Sequence, residues 1–254
     1  MVEVEAKYRR LRSYNAVMGF LHLLQAILML ALSNDFSLPV TTSYLKWDTA
    51  AHQGFTDLQV IGHLRVGPMV ALFLLISALA HFLLATVLFG WYVKNLRLGA
   101  NYARWLEYSV SSSLMIVVIA MICGMYDLSS LILIFSLNAA MILFGYMMEL
   151  TNQTREKTSW TAFVFGCLAG IVPWIVIAMY FVSSARSVEG MPAFVYGILI
   201  SIFIFFNIFA LNMFLQYGKV GRWRDYLFGE KIFILLSLVA KSALAWQVFS
   251  GTLR

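Results

Sequence analysis

The run Ile232-Phe-Ile-Leu-Leu-Ser-Leu-Val-Ala-Lys-Ser-Ala-Leu-Ala-Trp-Gln-Val-Phe249 is apolar over a length that crosses a bilayer, and it carries Lys241 near its centre. A lysine at the midpoint of a spanning helix costs roughly 2.5–3.5 kcal/mol on insertion scales. Its amine therefore has a partner of opposite charge or is consumed in a covalent bond. The rest of the chain must supply one or the other.

Of the 254 residues, 61% are hydrophobic and 12% charged, with a mean hydropathy of +0.82. Soluble domains carry about 25% charged residues, so this is the composition of a multi-span membrane protein. No hydrophilic stretch is long enough for a separate soluble domain, and residues 1–254 read as one membrane domain. A span needs about 20 apolar residues. Seven segments qualify, near residues 14–32, 66–92, 102–124, 128–150, 162–182, 193–217 and 231–251. The expected fold is an all-α, seven-transmembrane-helix bundle. Its longest connection, 33–65, contains the alternating stretches Thr41-Thr-Ser-Tyr-Leu45 and Phe55-Thr-Asp-Leu-Gln-Val60. These suit a short β-hairpin, with a loose loop as the alternative. The first apolar run is too long for a signal peptide and lacks a small-residue cleavage site. Cys123 and Cys167 both fall in apolar segments and have neither metal-site nor disulfide-framework spacing. Core packing is their expected role.

The net charge of +6 resolves into topology rather than nucleic-acid binding. Thirteen basic residues fall on one side of the seven spans: Lys7, Arg9, Arg10, Arg12, Lys94, Arg97, Arg104, Arg155, Lys157, Lys219, Arg222, Arg224 and Lys231. Four fall on the other: Lys46, Arg65, Arg186 and Arg254. Basic residues collect on the cytoplasmic side, so the N-terminus is expected in the cytoplasm and the C-terminus outside the cell membrane. Most seven-helix receptors and light-driven pumps run the other way.

Nearly all the acidic residues fall in loops or at helix ends, and the exception is Glu107. Arg104 lies three residues earlier, so an interfacial glutamate is the alternative reading. Depth favours a partner for Lys241. The third and seventh spans both begin at the N-terminal side, and helical side chains tilt toward their helix N-terminus. Glu107 and the lysine nitrogen therefore converge on one level. Ser237 lies one turn before Lys241, and Ser111 one turn after Glu107. His22 and His81 are intramembrane candidates for the same polar pocket, with satisfied core packing as the alternative. Asn138 and Gln216 are buried amides for which hydrogen-bonded packing is the default.

An ion pair alone would be structural glue. Beside it stand Met115, Met141, Trp174, Phe203, Phe205, Phe206, Phe209 and Trp246. Singly each is core packing; together they suit the walls of an elongated apolar ligand. A mid-membrane lysine is also the residue that forms a Schiff base with a carbonyl.

At this point the chain resembles the heliorhodopsins, over essentially all seven segments. The resemblance is carried by Ser237-Leu-Val-Ala-Lys-Ser-Ala-Leu-Ala-Trp-Gln-Val-Phe-Ser-Gly-Thr-Leu253, Trp105-Leu-Glu-Tyr-Ser-Val-Ser-Ser-Ser113, Asn138-Ala-Ala-Met-Ile-Leu-Phe-Gly-Tyr146 and Phe165-Gly-Cys-Leu-Ala-Gly-Ile-Val-Pro-Trp174. It implies all-trans retinal on Lys241, Glu107 as counterion, and His22 and His81 in a polar cluster near the Schiff base. It also implies an inverted orientation and a homodimer with the first extracellular loop, as a β-hairpin, at the contact.

Light-driven proton pumps carry a second carboxylate one turn before the retinal lysine and a proton donor eleven residues after the counterion. Those positions are Ser237 and Val118 here. A photosensor that pumps no ions is therefore expected. Its Schiff-base proton would move to Glu107 or to the His22–His81–Ser237 cluster, and its basic cytoplasmic face would meet a signalling partner. The alternatives are a light-gated passive ion conductor, a light-dependent regulator of a bound enzyme or transporter, and a chromophore-free bundle in which Lys241–Glu107 is only a salt bridge. No metal spacing, nucleophile motif or phosphate loop points to an enzyme.

Overall fold

In the computed structural model, which describes residues 2–187 and 192–253, apolar length turns directly into helix. Among the described residues, seven helices are long and apolar enough to cross a membrane. They are α1 (Val2–Leu32), α2 (Val66–Ala85), α4 (Tyr102–Ile122), α5 (Leu128–Asn152), α6 (Thr161–Ser187), α7 (Ala193–Tyr217) and α8 (Tyr226–Val248). A shorter helix, α3 (Phe89–Arg97), follows α2, and a π turn, Phe249–Leu253, closes α8. Among the basic residues counted above, Arg254 lies outside the described residues.

Helix starts follow capping chemistry. The side chains of Asn101, Asp127 and Asp225 accept hydrogen bonds from the backbone N–H of Arg104, Ser130 and Leu227, at the heads of α4, α5 and α8. Each satisfies one donor that an α-helix leaves open in its first turn. Pro173 sits inside α6 without ending it. In a bundle, neighbouring helices make such a missing N–H tolerable.

The sequence segment 66–92 is corrected. Its apolar run does not break, but the helix does. Thr86 Oγ1 donates to the Phe82 carbonyl at 2.6 Å, and Thr86 takes φ −123°, ψ −100°. A hydroxyl bound to the carbonyl four residues back competes with helix continuation, and the chain restarts as α3.

The connection between α1 and α2 is a β-hairpin, β1 (Ser37–Asp48) paired antiparallel with β2 (Gln53–Arg65). Ser37 stands opposite Arg65 and Asp48 opposite Gln53, with a bulge between Val40 and Thr41. Asp48 Oδ1 accepts from the N–H groups of Ala50 and Ala51 at 2.8 and 3.0 Å, which sets the turn. At its base the hairpin is tied to the α4–α5 connection by Thr41 N–H donating to the Tyr126 carbonyl at 2.8 Å. Its outer half is exposed and apolar, with Leu45, Trp47 and Leu58 standing clear of the bundle.

The helix termini define two ends of the bundle. One, the N-terminal face, holds α3 and the starts of α4, α6 and α8. The other, the hairpin face, holds the starts of α2, α5 and α7. Helix α4 is the most buried span and packs against α2, α5, α6 and α7. Helix α8 packs against α7, α1 and α2. These two helices carry Arg104, Glu107, Glu230 and Lys241, and α5 adds Glu149 to the charged groups of the interior.

Candidate functional site

Lys241 Nζ donates to Glu107 Oε1 at 2.8 Å and to Ser237 Oγ at 3.0 Å. The two charged side chains are 3% and 8% exposed. Ser77 Oγ, from α2, donates to the same Glu107 oxygen at 2.6 Å. The carboxylate is thus held by α2 and α8 together, and the ammonium by one acceptor on α4 and one a turn earlier on α8. A buried charge without such partners would not stay ionised. Tyr108 lies one residue beyond Glu107. Its ring centroid is 5.1 Å from Nζ, and its hydroxyl donates to the Phe233 carbonyl at 2.9 Å. Ser111 is buried one turn further along α4.

Behind this pair, on the α1–α2 side, His22 and His81 stack with centroids 5.6 Å apart and planes 11° apart. His81 Nδ1 lies 2.8 Å from Asn15 Oδ1. Both ring nitrogens of His22 lack a hydrogen-bond partner among the described residues. Buried polar atoms are nearly always satisfied, so the unpartnered His22 ring is an exception in this interior.

On the other side of Lys241 an apolar cavity of about 200 Å³ runs between α4, α5, α6, α7 and α8. Lys241 and Ser237 border it, as do Met115, Met141, Trp174, Phe203, Phe206 and Phe209. Trp174 meets Phe203 and Phe206 edge to face at 5.2 and 5.4 Å. Asn138 does not border the cavity. It donates to Ser112 and Ser113 at 2.9 and 3.0 Å and so ties α5 to α4 beside it. His22, His81 and Ser111 also stand outside the lining.

Two aromatic expectations are corrected. Trp246 is 38% exposed and donates from Nε1 to Gln25 Oε1 at 3.1 Å, joining α8 to α1. Five residues along a helix is a rotation of roughly 140°, so it faces away from the side of Lys241. Phe205 likewise does not border the cavity.

The lining includes residues that pattern reading passed over, notably Trp105, Phe163, Phe233 and the glycines Gly145, Gly166 and Gly170. Gly145 has a definite purpose, since a Cβ there would come within 2.4 Å of the Trp105 ring. The missing side chain lets the Trp105 ring approach α5 closely. Gly145→Ala is expected to destabilise the protein by about 1–3 kcal/mol through overpacking. Thermal unfolding in detergent would read the loss, and an unchanged midpoint would show that Trp105 moves freely.

The larger omission is a second charged cluster. Arg104 is buried and bonds both Glu149 and Glu230, which are fully buried. Glu230 also accepts from Tyr92 Oη at 2.9 Å and Asn101 Nδ2 at 2.6 Å. Glu149 accepts from the Asn101 N–H and from Tyr226 Oη, both at 2.8 Å. The sequence reading of Arg104 as an interfacial cation, and of Glu107 as the one interior acid, is corrected by this network. The signal was present: an arginine in an apolar segment demands acids, and the ends of α5 and α8 bring two to the same face. The guanidinium lies 4.1 Å from the Phe233 centroid and 4.6 Å from that of Trp105. The same two rings border the apolar cavity.

The chemistry of this arrangement suits a linear apolar carbonyl compound. The cavity supplies apolar walls, and at one end stands an amine, the one amine among the lining residues, with a carboxylate beside it. A family model described as Heliorhodopsin matches residues 11–253. No curated protein sequence matches the chain. The fold is similar to that of a light-driven proton pump from Leptosphaeria maculans, seen by crystallography, at a TM-score of 0.62 and 16% identity. That alignment covers 92% of this chain and 94% of the pump.

Proposed function

Since the chain belongs to the heliorhodopsin family, we propose that it is a light sensor in which Lys241 holds all-trans retinal as a protonated Schiff base, with Glu107 as counterion. The observation that carries this reading is the apolar cavity ending at a lysine whose Nζ lies 2.8 Å from a buried carboxylate. Retinal, when bound, supplies absorption of visible light and a change of shape. Met115, Met141, Trp174 and Phe206 would hold its chain by van der Waals contact and keep water from the linkage. Ser237 and Ser77 orient the nitrogen and the carboxylate.

The residues around Nζ favour a local proton exchange. Glu107 Oε1 is the nearest acceptor, and His22, with two unpartnered ring nitrogens, is the next reserve. The position one turn before the lysine is Ser237, and Val118 stands eleven residues after Glu107. Between Lys241 and the hairpin face no further acid is buried among the described residues. A transmembrane proton relay needs ionisable groups along its path, so this chain senses light without pumping ions. Glu107→Gln in retinal-loaded protein is expected to move the dark absorption band, because the charge beside the nitrogen is gone. An unchanged spectrum would sink the counterion assignment. In proteoliposomes, sustained light-driven acidification or alkalinisation that vanishes in Glu107→Gln would overturn the sensor reading.

The excess of basic residues at the N-terminal face supports a cytoplasmic N-terminus and a cytoplasmic signalling partner there. The exposed Leu45, Trp47 and Leu58 support a homodimer formed through the hairpin. All of this is read as one membrane domain.

A further inference from the structure

A second cavity, about 220 Å³, opens at the N-terminal face between the ends of α5 and α7 and the start of α8. We propose that it is a binding site for a protonated oxyanion of the phosphate class, either hydrogen phosphate or a phosphomonoester. This goes beyond the retinal site and involves none of its residues.

Charge is the first reason. Arg155, Lys219 and Arg224 border the cavity, and none forms an ion pair among the described residues. Two acids also border it. Glu149 is already bound to Arg104, while Glu156 has no ion pair. Three cations outside ion pairs stand against Glu156 and the net single negative charge of the Arg104–Glu149–Glu230 cluster, which leaves one positive charge in surplus at a polar recess and favours an anion.

Gln216 is the second reason, and it narrows the class. It borders the cavity, is 6% exposed, and its Nε2 donates to the Tyr226 carbonyl at 3.1 Å. Gly229 presses the amide into place, since a Cβ there would fall 2.7 Å from Nε2. With its N–H side so committed, Oε1 is left as a buried acceptor without a partner among the described residues. Buried acceptors are almost always satisfied, so this one calls for a donor. Hydrogen phosphate brings an O–H together with its negative charge. Sulfate at neutral pH brings charge alone.

The occupant would also sit beside Tyr226, whose hydroxyl bonds Glu149 of the buried Arg104 cluster. That places it one hydrogen bond from the network that touches Phe233 and the apolar cavity.

The test is calorimetric titration of retinal-loaded protein in phosphatidylcholine nanodiscs at fixed ionic strength. Inorganic phosphate is expected to bind saturably, and sulfate about tenfold more weakly for want of the donor, a ratio typical of one hydrogen bond to a buried acceptor. The surface variant Arg155→Gln/Lys219→Gln should weaken phosphate binding by at least about tenfold, and Gln216→Met should bring the two anions to equal affinity. Nanodiscs containing phosphatidic acid separate the sources. Loss of the phosphate heat in those discs assigns the site to a lipid headgroup, and its persistence assigns it to the soluble anion. Heats of phosphate equal to those of sulfate in the wild type would overturn the proposal. Binding unchanged in the Arg155→Gln/Lys219→Gln protein would overturn it as well, and that variant remains available if Gln216→Met does not fold.

Discussion

Lys241→Ala protein given all-trans retinal is expected to stay colourless, where the wild type takes on a visible band. The effect is all-or-none because the apolar cavity offers no second amine among its lining residues. The substitution also strips Glu107 of its cation and leaves it only the Ser77 hydroxyl among the bonds described above. Removing one partner of a buried pair costs about 3–5 kcal/mol, so loss of colour by itself would not separate chemistry from folding. The double variant Lys241→Ala/Glu107→Gln removes both charges and should recover most of the stability while remaining colourless. Colour in either variant would refute attachment at Lys241. A colourless wild type would remove the retinal reading altogether.

Arg104→Met should be among the most damaging single substitutions in the chain. Glu149 and Glu230 would face each other fully buried, with the guanidinium that bridges them gone. Their remaining donors are the hydroxyls of Tyr92 and Tyr226 and the amides of Asn101. An uncompensated buried charge costs about 3–5 kcal/mol, and methionine returns only dispersion contacts with Trp105 and Phe233. Denaturant unfolding followed by retinal absorbance would measure the loss. Adding Glu149→Gln and Glu230→Gln should restore most of it, since neutral amides no longer need the arginine. Arg104→Lys should fare little better than Arg104→Met, because one ammonium does not reproduce the planar fork that reaches two carboxylates. An Arg104→Met protein as stable as the wild type would show that the acids ionise without it.

Which of these features sequence alone reveals depends on how locally each is encoded. The seven spans are written in uninterrupted apolar length, and Lys241 is conspicuous because it violates it. Its pairing with Glu107 could be reached because helix direction and side-chain tilt set the depth of both groups. The hairpin is signalled only by alternation over a few residues, a pattern that a loose loop can share. By contrast, the end of α2 depends on one hydroxyl of Thr86, to which hydropathy is blind. The Arg104 cluster joins residues 45 and 126 positions apart, so no local pattern displays it. Residue type alone draws Trp246 toward the cavity, while its rotation from Lys241 turns it outward. Gly145 looks like any membrane glycine until Trp105 is seen against it.

The rings of Trp105 and Phe233 lie against the Arg104 guanidinium and also border the cavity that ends at Lys241, so they touch the surroundings of both sets of buried charges. Electrically this is a capacitor with a film of aromatic carbon as its insulator. A field crossing aromatic carbon is attenuated less than one crossing solvent. A change of charge at Lys241 or Glu107 would thus be felt at Arg104 through the field alone. Substitutions that let water into the film, such as Phe233→Ser, would therefore weaken the link between the plates while leaving the charges on both in place.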